Sequence, residues 1–173
     1  MIDRRNILAG ATAMLSPLPA AAAATATPAP APDRRLQQFK AVIEDWRRKD
    51  IDAILARLHD DIVWHVAAAV APPLSGKKAT RAFLEKFSQE VAEVHWRLFH
   101  AAEVGDRLFV EGVDEFVTSS GGRVAAPYAG IIEFQGDLII GWRDYVDRSV
   151  IDAMRRGGEY SPQVVELINR EAL

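Results

Sequence analysis

The chain has 173 residues, of which 49% are hydrophobic and 26% are charged, the balance of an ordinary globular protein. Its 21 basic and 24 acidic residues give a formal net charge of -3, which excludes a strongly basic nucleic-acid-binding protein. The chain contains no cysteine, so disulfides, thiolate catalysis and cysteine-ligated metal sites are excluded as well. Single domains mostly contain ~100–200 residues, so this length predicts one domain.

An export signal is predicted at the N-terminus. Arg4 and Arg5 precede a short apolar stretch and a run of alanines, the order of regions in a secretory signal peptide. The adjacent arginines resemble those of a twin-arginine signal. We therefore expect a twin-arginine-type signal peptide over residues 1–26, an Ala/Pro linker over 27–32 and a single folded domain over 33–173. The alternative is a disordered N-terminus that happens to contain two arginines.

These boundaries imply where the mature domain acts. It would be exported to the periplasm or secreted. It would carry no membrane span, because the apolar stretch of the signal is shorter than the ~20 residues that cross a bilayer.

Apolar residues at helical spacing predict three helices in the first half of the domain. The first covers residues 33–49, and a short second helix follows with Asp50 as its N-cap. β-Branched and aromatic residues over 61–66 predict a strand, after which the chain is broken by Pro72 and Pro73. The third helix covers residues 75–91.

From residue 94 the apolar period changes to two, and glycine-containing turns separate four predicted strands, over 94–104, 108–119, 124–134 and 138–147. They form an antiparallel meander, and residues 161–173 form a final helix. Helices followed by a long sheet predict an α+β domain, a curved and mostly antiparallel sheet with helices across its mouth. Such a sheet leaves a blind apolar pocket in which a small ligand binds.

Two acidic residues interrupt apolar faces of the predicted sheet. Asp114 shares its strand face with Leu108, Val110, Gly112 and Phe116, and Asp144 shares its own with Leu138, Ile140 and Trp142. Each carboxyl group is expected to enter the pocket, where burial raises its pKa. Two such carboxyl groups can divide the roles of general acid and general base. The alternative for each is an aspartate that faces solvent.

The turn at Gly105 predicts the position of Arg97. If Val104 pairs with Arg107, Arg97 lies opposite Asp114 and can reach the two acids. A slip of one residue would send Arg97 to the other face of the sheet.

The remaining pocket candidates follow from the same strand faces. His65 enters the pocket from the first strand, with a partly exposed position as the alternative. The predicted pocket wall comprises Val66, Phe99, Val110, Gly112, Tyr128 and Trp142. The four histidines lack a metal-ligand spacing, and no glycine-rich phosphate loop is present, so neither a metal nor a cofactor is expected.

At these residues the chain resembles the limonene-1,2-epoxide hydrolase family, which belongs to the SnoaL-like, nuclear transport factor 2-like (cystatin-like α+β barrel) fold group. The strongest match is Gly-Trp-Arg-Asp-Tyr-Val-Asp over residues 141–147, against Gly-Trp-Arg-Asp-Tyr-Phe-Asp in the family. Residues 111–114 read Glu-Gly-Val-Asp against Glu-Arg-Val-Asp, and the Pro-rich loop at 72–76 is also similar. The resemblance covers most of residues 33–155.

The resemblance implies roles for both acids. In the family one Asp, with a Tyr and an Asn, deprotonates a water that opens an epoxide directly, and a second Asp protonates the epoxide oxygen. By motif, Asp144 resembles the base and Asp114 the acid. The chain departs from the family where Gly112 replaces the arginine between the two acids. It departs again at residues 64–68, which contain neither Tyr nor Asn.

Three functions remain open at this point. The first is an exported epoxide hydrolase acting on a small apolar epoxide without a cofactor. The second is an isomerase or polyketide-type cyclase that uses the same acids, and the third is a non-catalytic binding module. A homodimer is also predicted, because the outer sheet face would carry Trp96, Leu98, Phe109 and Val113 and so require a cover.

Overall fold

The structure, a computed structural model, describes residues 33–68 and 70–173, so the signal and linker predicted over residues 1–32 lie outside the described residues. Its helices are α1 (Arg34–Arg47), α2 (Ile51–Ala56), α3 (Gly76–Glu90), α4 (Arg148–Arg155) and α5 (Pro162–Asn169). Its strands are β1 (Leu58–His65), β2 (Leu74–Ser75), β3 (Val91–Val94), β4 (Arg97–Val104), β5 (Arg107–Thr118), β6 (Arg123–Gln135) and β7 (Leu138–Val146). The predicted α+β class is confirmed.

The strands form one strongly curled, mixed sheet. Its order is β2-β1-β7-β6-β5-β3, with β4 also paired to β5. β4, β5, β6 and β7 form the predicted four-stranded antiparallel meander. β1 runs parallel to β7 and places Trp64 beside Trp142. This parallel pair brings a strand from the N-terminal half of the domain against the C-terminal strand of the sheet.

Helix α1 covers the concave face of the sheet because its apolar residues recur at helical spacing. Phe39, Val42 and Trp46 are all buried in the main core. The Phe39 ring meets Trp142 edge-on at 5.1 Å between centroids. Full burial of such a side chain contributes roughly 1.5–3 kcal/mol. The predicted cap of α2 is confirmed, since the Asp50 carboxylate accepts a hydrogen bond from Ala53 N at 3.0 Å.

A β-bulge corrects the register predicted for Arg97. β4 and β5 pair Val104 with Arg107 as expected, but the register shifts by one residue between Leu98 and His100. Arg97 therefore lies opposite Val113 and not Asp114, and Leu98 lies opposite Gly112. Since side chains alternate along a strand, the shift turns Arg97 and Phe99 to the convex face.

Helix α5 covers the convex face that was expected to be apolar and open. Phe99, Val113 and Ala125 pack with Val164 of α5 in a second buried cluster. Trp96 and Leu98 belong to the main core on the concave side, so placing them on the outer face was wrong. Phe109 remains 37% exposed. Most of the apolar surface on which the homodimer was predicted is therefore buried within the chain, and the homodimer stays a prediction.

Three elements were not predicted from the sequence, the short strands β2 and β3 and helix α4. The predicted last strand included Asp147, but β7 ends at Val146. Asp147 instead caps α4, because its carboxylate accepts hydrogen bonds from Ser149 N and Val150 N. Ile151 and Met154 of α4 are buried, whereas its other face is charged. Among the helices of the described residues, none is long and apolar enough to cross a membrane.

We predict that Gly112→Ala destabilises the domain by about 1–3 kcal/mol, the usual range for overpacking a filled site. A Cβ at this position would collide with the carbonyl oxygen of Arg97, which the bulge brings over Gly112. Urea unfolding measures the loss. The control is Gly122→Ala, where the nearest atom, Thr118 Oγ1, lies 3.2 Å away and can move. Equal stability of Gly112→Ala and the wild type would contradict the close approach at the bulge.

Candidate active site

A cavity of about 480 Å³ lies between the concave sheet face and helices α1, α3 and α4. This is within the range of small-molecule sites, ~300–1,000 Å³. Its wall is largely aromatic and includes Trp46, Trp64, Phe83, Phe87, Phe116 and Trp142. Two carboxyl groups, those of Asp114 and Asp144, enter this apolar space.

Asp144 is buried and held by three neutral donors. Oδ1 accepts hydrogen bonds from Tyr128 Oη at 2.8 Å and from Trp142 Nε1 at 2.6 Å. Oδ2 accepts one from Trp64 Nε1 at 2.7 Å. These bonds fix the orientation of the carboxyl group, because donors on three different strands converge on it.

The strand pairing explains why these donors meet. Trp142 shares a face of β7 with Asp144, two residues further on, and the parallel β1 places Trp64 against Trp142 with stacked rings 4.4 Å apart. Tyr128 reaches Asp144 over Gly130, which lies directly opposite Asp144 on β6. A Cβ at Gly130 would collide with the Tyr128 hydroxyl, so a side chain there would displace this donor.

Asp114 differs from Asp144 in having no hydrogen-bond donor among the described residues. It lies on β5 opposite Ala126, a small residue that leaves the carboxyl group open to the cavity. Its two oxygens are therefore available to a bound molecule. The same apolar surroundings leave its charge without compensation.

The surroundings raise the pKa of both acids towards neutrality. Burial raises the pKa of Asp114 to about 6. Burial raises the pKa of Asp144 to about 7, against the lowering effect of its three hydrogen bonds and with a further rise from the charge of Asp114. Burial and the charge of Asp144 also raise the pKa of Tyr128 well above its usual value, so its hydroxyl remains a donor.

The structure brings only some of the predicted pocket residues to the cavity. Val66, Tyr128 and Trp142 line it together with the two acids. Val110 and Gly112 face the same side of the sheet but are buried and do not form part of its wall. The placement of Val110 and Gly112 in the pocket wall is therefore corrected.

Three other candidates lie away from the cavity. Phe99 is on the convex face, where the bulge places it. His65 is half-buried at the end of β1, on the opposite side of the strand from the inward-facing Trp64. Placing Phe99 and His65 in the pocket was therefore wrong, since strand alternation directs them elsewhere.

Arg97 pairs with Glu115 and not with Asp114 or Asp144, the two acids predicted for it. Its guanidinium donates to Glu115 Oε2 at 2.5 Å and to the carbonyl oxygen of Ile168 at 2.5 Å. Glu115 is almost fully buried and is also paired with Arg123. Arg97 thus joins β5 to the C-terminal helix on the convex side, and the proposed contact with Asp114 and Asp144 is corrected.

Sequence reasoning missed Trp64 as a functional candidate. Residue 64 was considered only as one of the positions where the limonene-1,2-epoxide hydrolase family has a tyrosine or an asparagine and this chain has neither. The available signal was its place in an apolar strand face beside Ile62, because a buried indole N–H requires an acceptor. Among the described residues no three His, Asp or Glu side chains lie close enough together to hold a metal ion.

We predict that Asp114→Asn stabilises the domain at high pH. In an unfolded chain Asp ionises near pH ~3.9, whereas in the folded domain its pKa is raised, so the free energy of unfolding falls as pH rises through this interval. The neutral variant escapes this loss and should exceed the wild type by about 2 kcal/mol at pH ~8 but not at pH ~4. Urea unfolding at both pH values measures the difference. Asp61→Asn, whose side chain is 89% exposed, is the control, and equal stabilities at the higher pH would contradict the prediction.

Comparisons with known proteins agree on the fold. The sequence model of the SnoaL-like domain matches residues 39–142. No curated protein sequence matches the chain. An LEH-like epoxide hydrolase from M. tuberculosis is similar in structure, with a TM-score of 0.62 and 21% identity over 70% of this chain and 89% of that one.

Two other structures are equally similar. A putative SnoaL-like polyketide cyclase from Shewanella denitrificans OS-217 has a TM-score of 0.64 and 14% identity, covering 70% of this chain and 96% of its own. A protein from Catenulispora acidiphila DSM 44928 with a ketosteroid isomerase-like fold, solved with trimethylamine, has a TM-score of 0.63 and 19% identity, covering 73% and 98%. At these identities the neighbours show the fold alone. Because the sequence model covers more than half of its length, the chain belongs to the SnoaL-like domain family.

Proposed function

We propose that the protein is a cofactor-independent epoxide hydrolase that adds water directly to a small apolar epoxide. The observation that carries this proposal is the pair of carboxyl groups, Asp114 and Asp144, in one aromatic cavity. Their raised pKa values, about 6 and about 7, allow one carboxyl to hold a proton while the other is ionised near neutral pH. The motif over residues 141–147 and the epoxide hydrolase among the structural neighbours support the choice of reaction.

In the proposed reaction Asp144 is the base and Asp114 the acid. The oxygen of a water molecule forms a bond to an epoxide carbon while Asp144 takes one proton of that water. The carbon–oxygen bond of the ring breaks, and Asp114 donates its proton to the leaving oxygen. The product is a diol, and proton exchange with solvent restores both carboxyl groups.

The hydrogen bonds support this division of roles. Asp144 accepts three hydrogen bonds, and such bonds are strongest when the acceptor is ionised. Asp114 receives none from the described residues, so nothing there favours its charged form over the protonated acid. The pKa order, about 7 for Asp144 and about 6 for Asp114, opposes this assignment, so the form with Asp144 ionised and Asp114 protonated is the minor of the two singly protonated forms, roughly one molecule in ten near neutral pH.

A second candidate is an isomerase or cyclase that moves a proton on a carbonyl substrate. The observation that favours it is the cavity wall at residues 64–68. There Trp64 donates to Asp144 itself, and Val66 and Ala67 offer no side-chain group to hold a water. Proton transfer between two carbon atoms or to a carbonyl oxygen requires an acid and a base but no bound water.

We also propose that the enzyme acts after export, and as a homodimer. The support for export is the Arg4-Arg5 pair and the apolar stretch that follows it. The remaining support for a dimer is Phe109, the exposed part of the apolar surface first assigned to it.

We predict that the mature domain converts small cyclic epoxides to diols and that Asp144→Asn lowers kcat/KM by about 10²–10⁴-fold, the usual contribution of a general base. Asp114→Asn should cause a loss in the same range because it removes the proton donor. Product analysis in ¹⁸O-labelled water provides the measurement, since direct addition places the label in the diol in the first turnover.

Asp61→Asn is the matched control, because it makes the same change on the exposed side of β1 and should retain full activity. No diol from the wild type would overturn the hydrolase proposal. Formation of a conjugated enone from a β,γ-unsaturated ketosteroid would then establish the isomerase candidate.

We predict a bell-shaped dependence of kcat/KM on pH, with limbs at about 6 and about 7. Activity is lost at low pH as the base becomes protonated and at high pH as the acid loses its proton. The profile reports the pair as a whole, so it is the same whichever carboxyl group is the acid. A profile with a single limb between pH ~4 and ~9 would contradict a mechanism that needs both groups.

A further inference from the structure

The mouth of the cavity is charged, in contrast to its apolar interior. The charged residues that line the cavity, other than the two inner acids, lie on the facing surfaces of α3 and α4 and are Lys86, Glu90, Arg148, Asp152 and Arg155. Three of the five are cations. Because all five are at least partly exposed, this rim is the polar end of the site.

The two arginines of the rim are only loosely paired. Arg155 lies 3.5 Å from Glu90, and Arg148 lies 4.0 Å from Asp152, both beyond the ~2.7–3.2 Å of a normal N–H···O hydrogen bond. Within the described part of the chain, Lys86 has no carboxylate within 4.0 Å. Among the described residues, none of these three cations donates a hydrogen bond of normal length to a carboxylate, which leaves donors to contact a ligand.

Arg155 is also fixed at the edge of the cavity. Its guanidinium carbon lies 5.8 Å from the centroid of the Phe116 ring, which forms part of the cavity wall. This contact holds a cation beside the opening. A group that leaves the cavity at this edge would meet the Arg155 donors directly.

The inner end has the opposite polarity. Asp114 and Asp144 carry negative charge when ionised. No cation of the described residues acts on either acid, and Arg97, the candidate predicted for that place, is on the convex face. An anionic group at the inner end would be repelled, whereas the same group at the mouth would meet three cations against two acids. A ligand would therefore bind in one orientation, with a neutral group at the inner end of the cavity and an anionic group at its mouth.

We propose that the substrate is apolar only around its reacting bond and is an amphiphile as a whole, with a carboxylate at the remote end that Lys86, Arg148 and Arg155 bind. The assignment names the substrate class of the proposed acid–base site and rests on that proposed function for the orientation of the reacting end. The carboxylate contact itself is a binding property, so it is measurable without turnover.

The test uses unreactive ligands of equal shape, cyclohexylbutanoic acid and cyclohexylbutanamide, together with the longer pair cyclohexylhexanoic acid and cyclohexylhexanamide. Isothermal titration calorimetry in low salt at neutral pH compares each acid with its amide. For at least one pair we expect the carboxylate to bind about 10-fold more tightly, the gain of a hydrogen bond between charged groups. The preference should shrink as salt screens the rim charges.

The decisive variant carries Lys86→Ala, Arg148→Ala and Arg155→Ala together. It should reduce the preference for the acid over the amide to about 2-fold or less, and measurable binding of the amide shows that the variant is folded. The matched control carries Lys78→Ala and Arg156→Ala, which remove cations of the same two regions that do not line the cavity. This control should keep the full preference.

Equal affinities for acid and amide, binding of neither acid, or a preference that survives the triple substitution would each overturn the proposal. These outcomes are separate from the hydrolase test. Diol formation with equal binding of acid and amide would retain the reaction and reject the carboxylate. A rim-dependent preference without any diol would retain the carboxylate site and reject the reaction.

Discussion

The cavity depends on keeping the Asp144 carboxylate in an apolar interior. An ionised carboxylate without partners would be too costly there, so its hydrogen bonds must come from side chains that are themselves apolar over most of their surface. Two indoles and a phenol meet that requirement. They come from β1, β6 and β7, so satisfying this one carboxylate also fixes the positions of three strands relative to each other.

Asp114 shows the opposite arrangement on β5, which is separated from β7 by β6. It receives no hydrogen bond from the described residues and faces the open cavity, so its charge opposes folding while its reactivity increases. A group of this kind is retained at the expense of stability when its chemistry is useful. The absence of a bridging cation follows from the bulge, because the backbone of β4 lies where a side chain at Gly112 would have to begin.

The sequence was sufficient for the parts of the fold that depend on periodicity. Apolar spacing and turn residues predict the helix at Arg34–Arg47, the four-stranded meander and the inward direction of Asp114 and Asp144. Arg97 could not be placed, because a single bulged residue reverses every side chain beyond it and leaves no sequence signal. Trp64 could not be assigned to Asp144, because nothing local indicates that β1 pairs in parallel with a strand about eighty residues later. Helix α4 was missed because its charged face and short length conceal two buried residues.

The stacked indoles of Trp64 and Trp142 have a further consequence. Their rings lie 4.4 Å apart and 15° from parallel, and both line the cavity. At that separation the electronic transitions of the two chromophores couple, so their near-ultraviolet circular dichroism reflects the geometry of the pair and not of either ring alone. Both indoles also donate to Asp144, so a change in the charge of that carboxylate perturbs the coupled spectrum. The two indoles therefore act as an optical reporter of the protonation of Asp144, to which both are hydrogen-bonded.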